Sequence, residues 1–294
     1  MSMKSPCGCG HDHSHSTADT DQNGMNRRNF LTTTAAGVAA TAATGMAVAG
    51  FADAAQAAST NPAYAAPEKP GLPASNMELK KGRAALVVVD PQIDFLSPDG
   101  VSWGVVGESV TEHGVVDNLT RLFKTAKAAD LPVVISPHFY YPHDHRWEME
   151  GALEKVMHSI GMFDRPGPLT LEGFEGSGAD FMAEYKPYIF DGKTIITSPH
   201  KVYGPEQNDA TLQLRKLHVD QIILAGMSAN LCVESHMREF LEQGFEVAVV
   251  QDATAGAKVP EGDGYLAALI NFRMIANAVW TTEEAVSRMT TLGA

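Results

Sequence analysis

The chain has 294 residues, 44% of them hydrophobic, and carries 22 Lys and Arg against 35 Asp and Glu, a formal net charge of −13. So acidic a balance opposes binding to nucleic acid or to an anionic membrane surface. The length suits one sizeable α/β core behind a leader.

In chain order, the first feature is the tract Cys7-Gly8-Cys9-Gly10-His11-Asp12-His13-Ser14-His15, a set of soft ligands that could take copper, zinc or nickel without a packed scaffold. Next comes Asn26-Arg27-Arg28-Asn29-Phe30-Leu31, followed over 32–50 by a run rich in Ala, Thr, Gly and Val. This looks like a twin-arginine export signal, and Ala55-Gln56-Ala57 supplies a small-x-small cleavage pattern. Residues 1–57 are therefore expected to be an export signal with a Cys/His-rich leader. Residues 58–82 read as a linker and 83–294 as the working domain. The expected product is exported, periplasmic or otherwise extracytoplasmic, and not membrane-bound after cleavage. Cleavage also removes Cys7 and Cys9, leaving Cys232 without an intrachain disulfide partner.

Ala84-Ala85-Leu86-Val87-Val88-Val89 is a continuous apolar run of the kind shown by parallel strands buried on both faces, and it ends in Asp90-Pro91. The pattern then predicts a helix over 112–130, strands over 132–135 and 193–197, a helix over 208–217 and a strand over 221–226. A helix over 231–243, a strand over 245–250, a helix over 264–271 and a strand over 274–280 follow, and Thr281-Thr282-Glu283-Glu284 opens a last helix. This alternation predicts a three-layer α/β/α fold with a mostly parallel six-stranded sheet, whose ligands bind beyond the carboxyl ends of the strands. Residues 136–192 interrupt the rhythm, with Trp147, a predicted helix over 148–160 and the run Arg165-Pro166-Gly167-Pro168. An insertion of this length leaving a strand's carboxyl end is expected to be a lid over the site, with a dimer contact or plain elaboration as the alternatives.

Cys232 lies where a buried strand feeds a helix. There, free N–H groups and the helix dipole are expected to favour thiolate. Asp90 ends the first strand and Lys201 follows the third, so parallel connectivity brings both to the edge that carries Cys232. Read singly, they are a turn residue, a surface lysine and a small buried side chain. Read together they are a base, a cation and a nucleophile, the set that thiol acyl chemistry needs.

Three stretches then resemble the isochorismatase-like cysteine hydrolases, which include nicotinamidases and N-carbamoyl amidohydrolases. They are Leu86-Val87-Val88-Val89-Asp90-Pro91-Gln92-Ile93-Asp94-Phe95, the region of Lys201, and Leu224-Ala225-Gly226-Met227-Ser228-Ala229-Asn230-Leu231-Cys232-Val233-Glu234-Ser235, with Gln251-Asp252-Ala253 closing the next strand. The resemblance implies an Asp90-Lys201-Cys232 triad, a cis peptide at Met227-Ser228 and an oxyanion hole from the N–H groups of Ser228 and Cys232. It also implies a small-molecule substrate and a homo-oligomer. Nicotinamidases add a metal held by an Asp-x-His pair, which Ser136-Pro137-His138-Phe139-Tyr140-Tyr141-Pro142-His143-Asp144-His145 does not contain. No cofactor is therefore expected, and His138, His143 and His145 are the alternative metal ligands. True isochorismatases cleave a vinyl ether and need no cysteine nucleophile.

The expected activity is hydrolysis of a C–N bond in a small amide, ureide or carbamoyl compound through a thioester, with Gln92, Phe95, His138, Tyr140, Trp147 and Tyr203 as pocket candidates. The alternatives are a metal-assisted nicotinamidase- or isochorismatase-type hydrolase, and a small-molecule-binding homologue without turnover.

Overall fold

The computed structural model describes residues 61–75 and 77–293. The Cys/His tract, the twin-arginine run and the cleavage pattern lie outside the described residues.

Six strands form a parallel sheet: β1 (Ala84–Val89), β2 (Val133–Ser136), β3 (Ile195–Ile196), β4 (Gln221–Gly226), β5 (Glu246–Thr254) and β8 (Ala278–Trp280). Their spatial order is β3-β2-β1-β4-β5-β8, and β6 (Lys258–Val259) pairs with β7 (Gly262–Asp263) as a separate antiparallel ribbon. The helices are α1 (Ile93–Leu96), α2 (Trp103–His113), α3 (Val115–Ala128), α4 (Ala152–Ile160), α5 (Lys186–Ile189), α6 (Ala210–Lys216), α7 (Glu234–Glu242), α8 (Gly264–Ile275) and α9 (Thr282–Gly293).

β1 and β4 are buried along their whole lengths and lie side by side, which is why each reads as an unbroken apolar run. The period of two splits their side chains between the faces. Leu86 and Val88 enter a core shared with Leu119, Leu122 and Phe123 of α3 and Met289 of α9. Ala85, Val87 and Val89 enter the opposite core, with Leu214 of α6, Met237 and Phe240 of α7, and Leu269 and Phe272 of α8. Burying a large aliphatic or aromatic side chain in this way stabilises by about 1.5–3 kcal/mol, so the two cores fix the sheet between its helical layers.

Several boundaries differ from the sequence pattern. The helix expected over 112–130 is α3, and α2, which the pattern did not mark, precedes it; Gly114 separates the two at φ 60°, its N–H capping the carbonyls of Val110 and Thr111. β3 is only two residues long, and β8 begins at Ala278, since the Asn277 side chain takes the N–H of Val247. β5 runs on to Thr254 through an irregularity opposite Leu224 and Gly226. The helix expected over 231–243 opens as a π-turn over Ala229–Val233 before α7 begins.

The 136–192 insertion shares the core of the α3 side, to which it contributes Tyr140, Phe163, Phe174, Phe181, Tyr185 and Ile189. Asp94 ties it down by accepting the N–H of Phe163 (2.7 Å). Opening the insertion as a lid would expose those aromatic side chains to water. Among the described residues, no helix is long and apolar enough to cross a membrane.

Candidate active site

Asp90 leaves the end of β1 in the left-handed region, at φ 46°. Its N–H donates to Ser136 O (3.0 Å) and its carbonyl accepts Gln92 N–H (2.8 Å), so the turn aims the side chain across the carboxyl edge of the sheet. The side chain is fully buried. Oδ1 accepts from His200 Nε2 at 2.8 Å, and a carboxyl oxygen lies within 4.8 Å of the Cys232 sulfur. Burial raises the Asp90 pKa above its ordinary value, while His200 and the nearby thiol pull it down less strongly.

Cys232 arrives from the neighbouring strand. β4 ends at Gly226, where φ is 114° and a Cβ would sit 2.0 Å from Val89 O, so only glycine lets β4 lie this close to β1. The Met227-Ser228 peptide is cis, as the family resemblance implied. The π-turn then places Cys232 at 3% exposure, facing Asp90. The expectation of a lowered thiol pKa does not hold. Burial, followed by the charge of the neighbouring Asp90, pushes the thiol well up. The N–H groups of Ser228 and Cys232 act on the sulfur in the opposite sense and are outweighed. The Cys232 side chain therefore rests as a thiol beside the Asp90 carboxyl group, with the same two N–H groups directed at its sulfur.

The third expected member is elsewhere. Lys201 Nζ donates to Asp144 Oδ2 (2.6 Å) and Phe139 O (2.7 Å) and lies 3.8 Å from the Tyr141 ring centroid, so it clasps the start of the insertion rather than Asp90. His200, its neighbour in the chain, takes the place beside the base. Beyond β2 and β3 the chains still meet at a parallel bridge between His138 and His200, and successive side chains of an extended chain point to opposite sides. A one-residue difference in register thus exchanges imidazole for ammonium. Asp144 is itself held, accepting the N–H of Tyr141 at 2.8 Å.

A second buried histidine, also absent from the sequence expectations, supports the nucleophile. His236 Nδ1 lies 2.7 Å from Cys232 O, a pure acceptor, so Nδ1 carries the hydrogen. Nε2 then accepts from Ser136 Oγ (2.7 Å), which accepts from Asn208 Nδ2 (2.9 Å). Burial drives the His236 pKa well down, so this chain is neutral. Its sequence signal was faint but present: His236 lies one helical turn after Cys232.

The pocket candidates divide. Tyr140 and Tyr203 lie close enough to Cys232 for its charge to raise their pKa values, though burial is the larger cause for both. Trp147 stands edge-on to Tyr140, with ring centroids 5.9 Å apart. Gln92 is fully engaged: its amide donates to His138 O (2.9 Å) and Ala179 O (2.8 Å) and accepts His138 N–H (2.9 Å), which pins the insertion to the end of β1. Phe95 packs on Phe163 as core.

The three histidines of the alternative metal set do not converge. His143 is exposed beside Asp144, and His145 pairs with Asp164 at 2.7 Å. His138 is buried, with Nε2 2.9 Å from Lys201 O. The one group with metal-ligand spacing among the described residues is Asp90, His138, His200 and Cys232.

Comparison with known proteins agrees with this layout. The ureidoacrylate amidohydrolase RutB of Variovorax paradoxus (strain S110) is 26% identical over 232 residues, covering 70% of this chain and 86% of that protein. The protein of the same name from Pseudomonas syringae pv. syringae (strain B728a) is 26% identical over 190 residues, 60% of this chain and 73% of the other. In fold, the chain is similar to a cysteine hydrolase from Pseudomonas syringae pv. phaseolicola 1448A, with a TM-score of 0.62 at 20% identity, covering 76% of this chain and 100% of that one. The model of the isochorismatase domain matches residues 84–284. With its parallel sheet and the acid and thiol at the sheet's carboxyl edge, the chain belongs to the isochorismatase family of hydrolases.

Proposed function

We propose that this protein is a cysteine amidohydrolase that cleaves a C–N bond of a small amide, ureide or carbamoyl compound. The observation that carries the reading is the buried pair of the Asp90 carboxyl group and the Cys232 thiol, whose oxygen and sulfur lie within 4.8 Å of each other at the carboxyl edge of the sheet. Its relatives named as ureidoacrylate amidohydrolases support the reaction class.

As Sγ attacks the carbonyl carbon, the thiol proton passes to Asp90, so the thiolate never has to exist free in a buried site. The N–H groups of Ser228 and Cys232 stabilise the oxyanion, a contribution of about 2.7–4 kcal/mol per donor in comparable sites. Collapse breaks the C–N bond, Asp90 returns its proton to the leaving nitrogen, and a thioester remains. Asp90 then takes a proton from water, which attacks the thioester and frees the acid. The regained proton restores the thiol. His200 donates to Asp90 throughout and keeps one carboxylate oxygen oriented, leaving the other for the proton.

Cys232→Ala and Cys232→Ser test the reading on full-length protein, with released ammonia measured against a panel of amides, ureides and carbamoyl compounds. Hydrolysis should disappear, and wild-type protein quenched during turnover should carry an acyl adduct on the peptide containing Cys232. A variant within about tenfold of wild type, a barrier change below roughly 1.4 kcal/mol, removes Cys232 as nucleophile.

A further inference from the structure

Asp90, His138, His200 and Cys232 each present a ligand atom, and these four atoms lie within 4.8 Å of one another in a fully buried chamber. Hydrolysis as described above uses three of the four residues and leaves His138 without a task. Its proton can be placed. Nε2 faces the carbonyl of Lys201, which only accepts, so Nε2 carries the hydrogen and Nδ1 is a bare lone pair. That Nδ1 is buried without a partner, and so are His200 Nδ1 and Asp90 Oδ2. Buried acceptors without a donor are costly, and where the residues that bear them stand this close a cation can satisfy several at once.

The donor set identifies the cation. One thiolate, two imidazoles and one carboxylate form a borderline-soft, four-ligand group, the composition that suits tetrahedral zinc. Ligand atoms around zinc lie roughly 3.3–3.6 Å apart, as follows from bonds of 2.0–2.3 Å, so the widest pair must close by about 1 Å. Side-chain rotation about the fixed backbone supplies a movement of that size. The set differs from an Asp-x-His site in enlisting the nucleophile itself.

We propose that this chamber binds one zinc ion and that the ion reversibly silences the enzyme. On binding, a Zn–S bond forms, the Cys232 thiol releases its proton to solvent, and no electron is transferred. Both the nucleophile and the base are then occupied. The binding claim stands without the hydrolase reading; only the loss of activity rests on it.

The test uses full-length protein, because the Cys7 to His15 tract offers ligands of its own and must be present as a common background. Wild type should take up one more equivalent of zinc than Cys232→Ser. Cobalt(II) should give a thiolate charge-transfer band that exceeds the Cys232→Ser spectrum by one site. Zinc should slow alkylation of Cys232 by iodoacetamide, read by peptide mass spectrometry, at least tenfold, and chelator should restore the rate. His138→Gln retains a donor toward Lys201 O and removes the Nδ1 lone pair, so it should need at least tenfold more zinc for the same protection. Equal zinc content in wild type and Cys232→Ser, or an alkylation rate indifferent to zinc, overturns the site. Zinc that binds and raises hydrolysis overturns the silencing role. Zinc that binds protein without any amidase activity leaves the site standing and removes the hydrolase reading instead.

Discussion

The wall of the site built from β4, the π-turn and α7 holds Cys232 through bonds between residues close in the chain, such as His236 to Cys232 O. The opposite wall, from β2, β3 and the insertion, is assembled across long separations: His138 beside His200, Lys201 to Asp144, Gln92 to Ala179. The nucleophile therefore depends on local geometry, and the group that supports the base depends on register. The first wall is constrained at its backbone, since Gly226 admits no Cβ. The second wall depends on single side-chain contacts between residues far apart in the chain.

Asp90 joins the two walls, so its loss should have the largest effect. Asp90→Asn keeps the shape and removes the proton acceptor, and kcat/KM should fall by about 10²–10⁴. Stability should not fall with it. Burial raises the Asp90 pKa, so this group's contribution to folding is fully present below the unfolded-state value and is lost as pH rises through the folded one. At pH 7 the variant should equal or exceed wild type in chemical denaturation. The same shift places the acid limb of the wild-type rate profile above the ordinary range of an aspartate. Full turnover by Asp90→Asn at neutral pH moves the base elsewhere.

His200 tests the second wall directly. Its hydrogen bond reaches a charged, buried acceptor, an interaction worth about 1.5–3 kcal/mol. His200→Ala should thus cost roughly ten- to hundredfold in kcat/KM. His200→Gln places an amide donor near the position of Nε2 and should recover much of that loss. If alanine and glutamine behave alike, the Nε2 bond is not what supports Asp90.

The contrast between the walls also explains which features the sequence revealed. The β1 and β4 runs, with Asp90 and Cys232 at their ends, were legible because both strands are buried on both faces and continuous. The family motifs lie on those same segments. His200 was hidden because β3 is two residues long and its continuation is irregular, so no period marked which of His200 and Lys201 faces the sheet edge. The Cys232 thiol was misjudged for a different reason: a helix start favours thiolate, but burial beside a carboxylate costs more, and burial cannot be read from the position of a turn. Gln92 sits inside a recognisable motif, yet its amide is spent on the backbone of the insertion, whose path the sequence pattern did not show. The start of α3 was the most recoverable miss, since Gly114, inside the pattern read as helix from residue 112, is a ready left-handed cap that ends α2.

Lys201→Met should have the smallest effect on chemistry and separates the family expectation from the observed geometry. Nζ bonds Asp144 and Phe139 O and lies over Tyr141, all in the segment that begins the insertion, and it makes no bond to Asp90. Methionine keeps most of the apolar stem and leaves Asp144 with its bond from Tyr141 N–H. The ammonium side chain is one quarter exposed and its carboxylate partner nearly buried, so the loss should fall between that of a surface pair and that of a buried one, about 1–3 kcal/mol. In a domain of this size that lowers Tm by roughly 2–12 °C. kcat and KM should each stay within about threefold of wild type, because Tyr140 and Tyr203 remain held by the surrounding core. A hundredfold loss of kcat at unchanged Tm would instead put the ammonium, and not the His200 imidazole, beside the base.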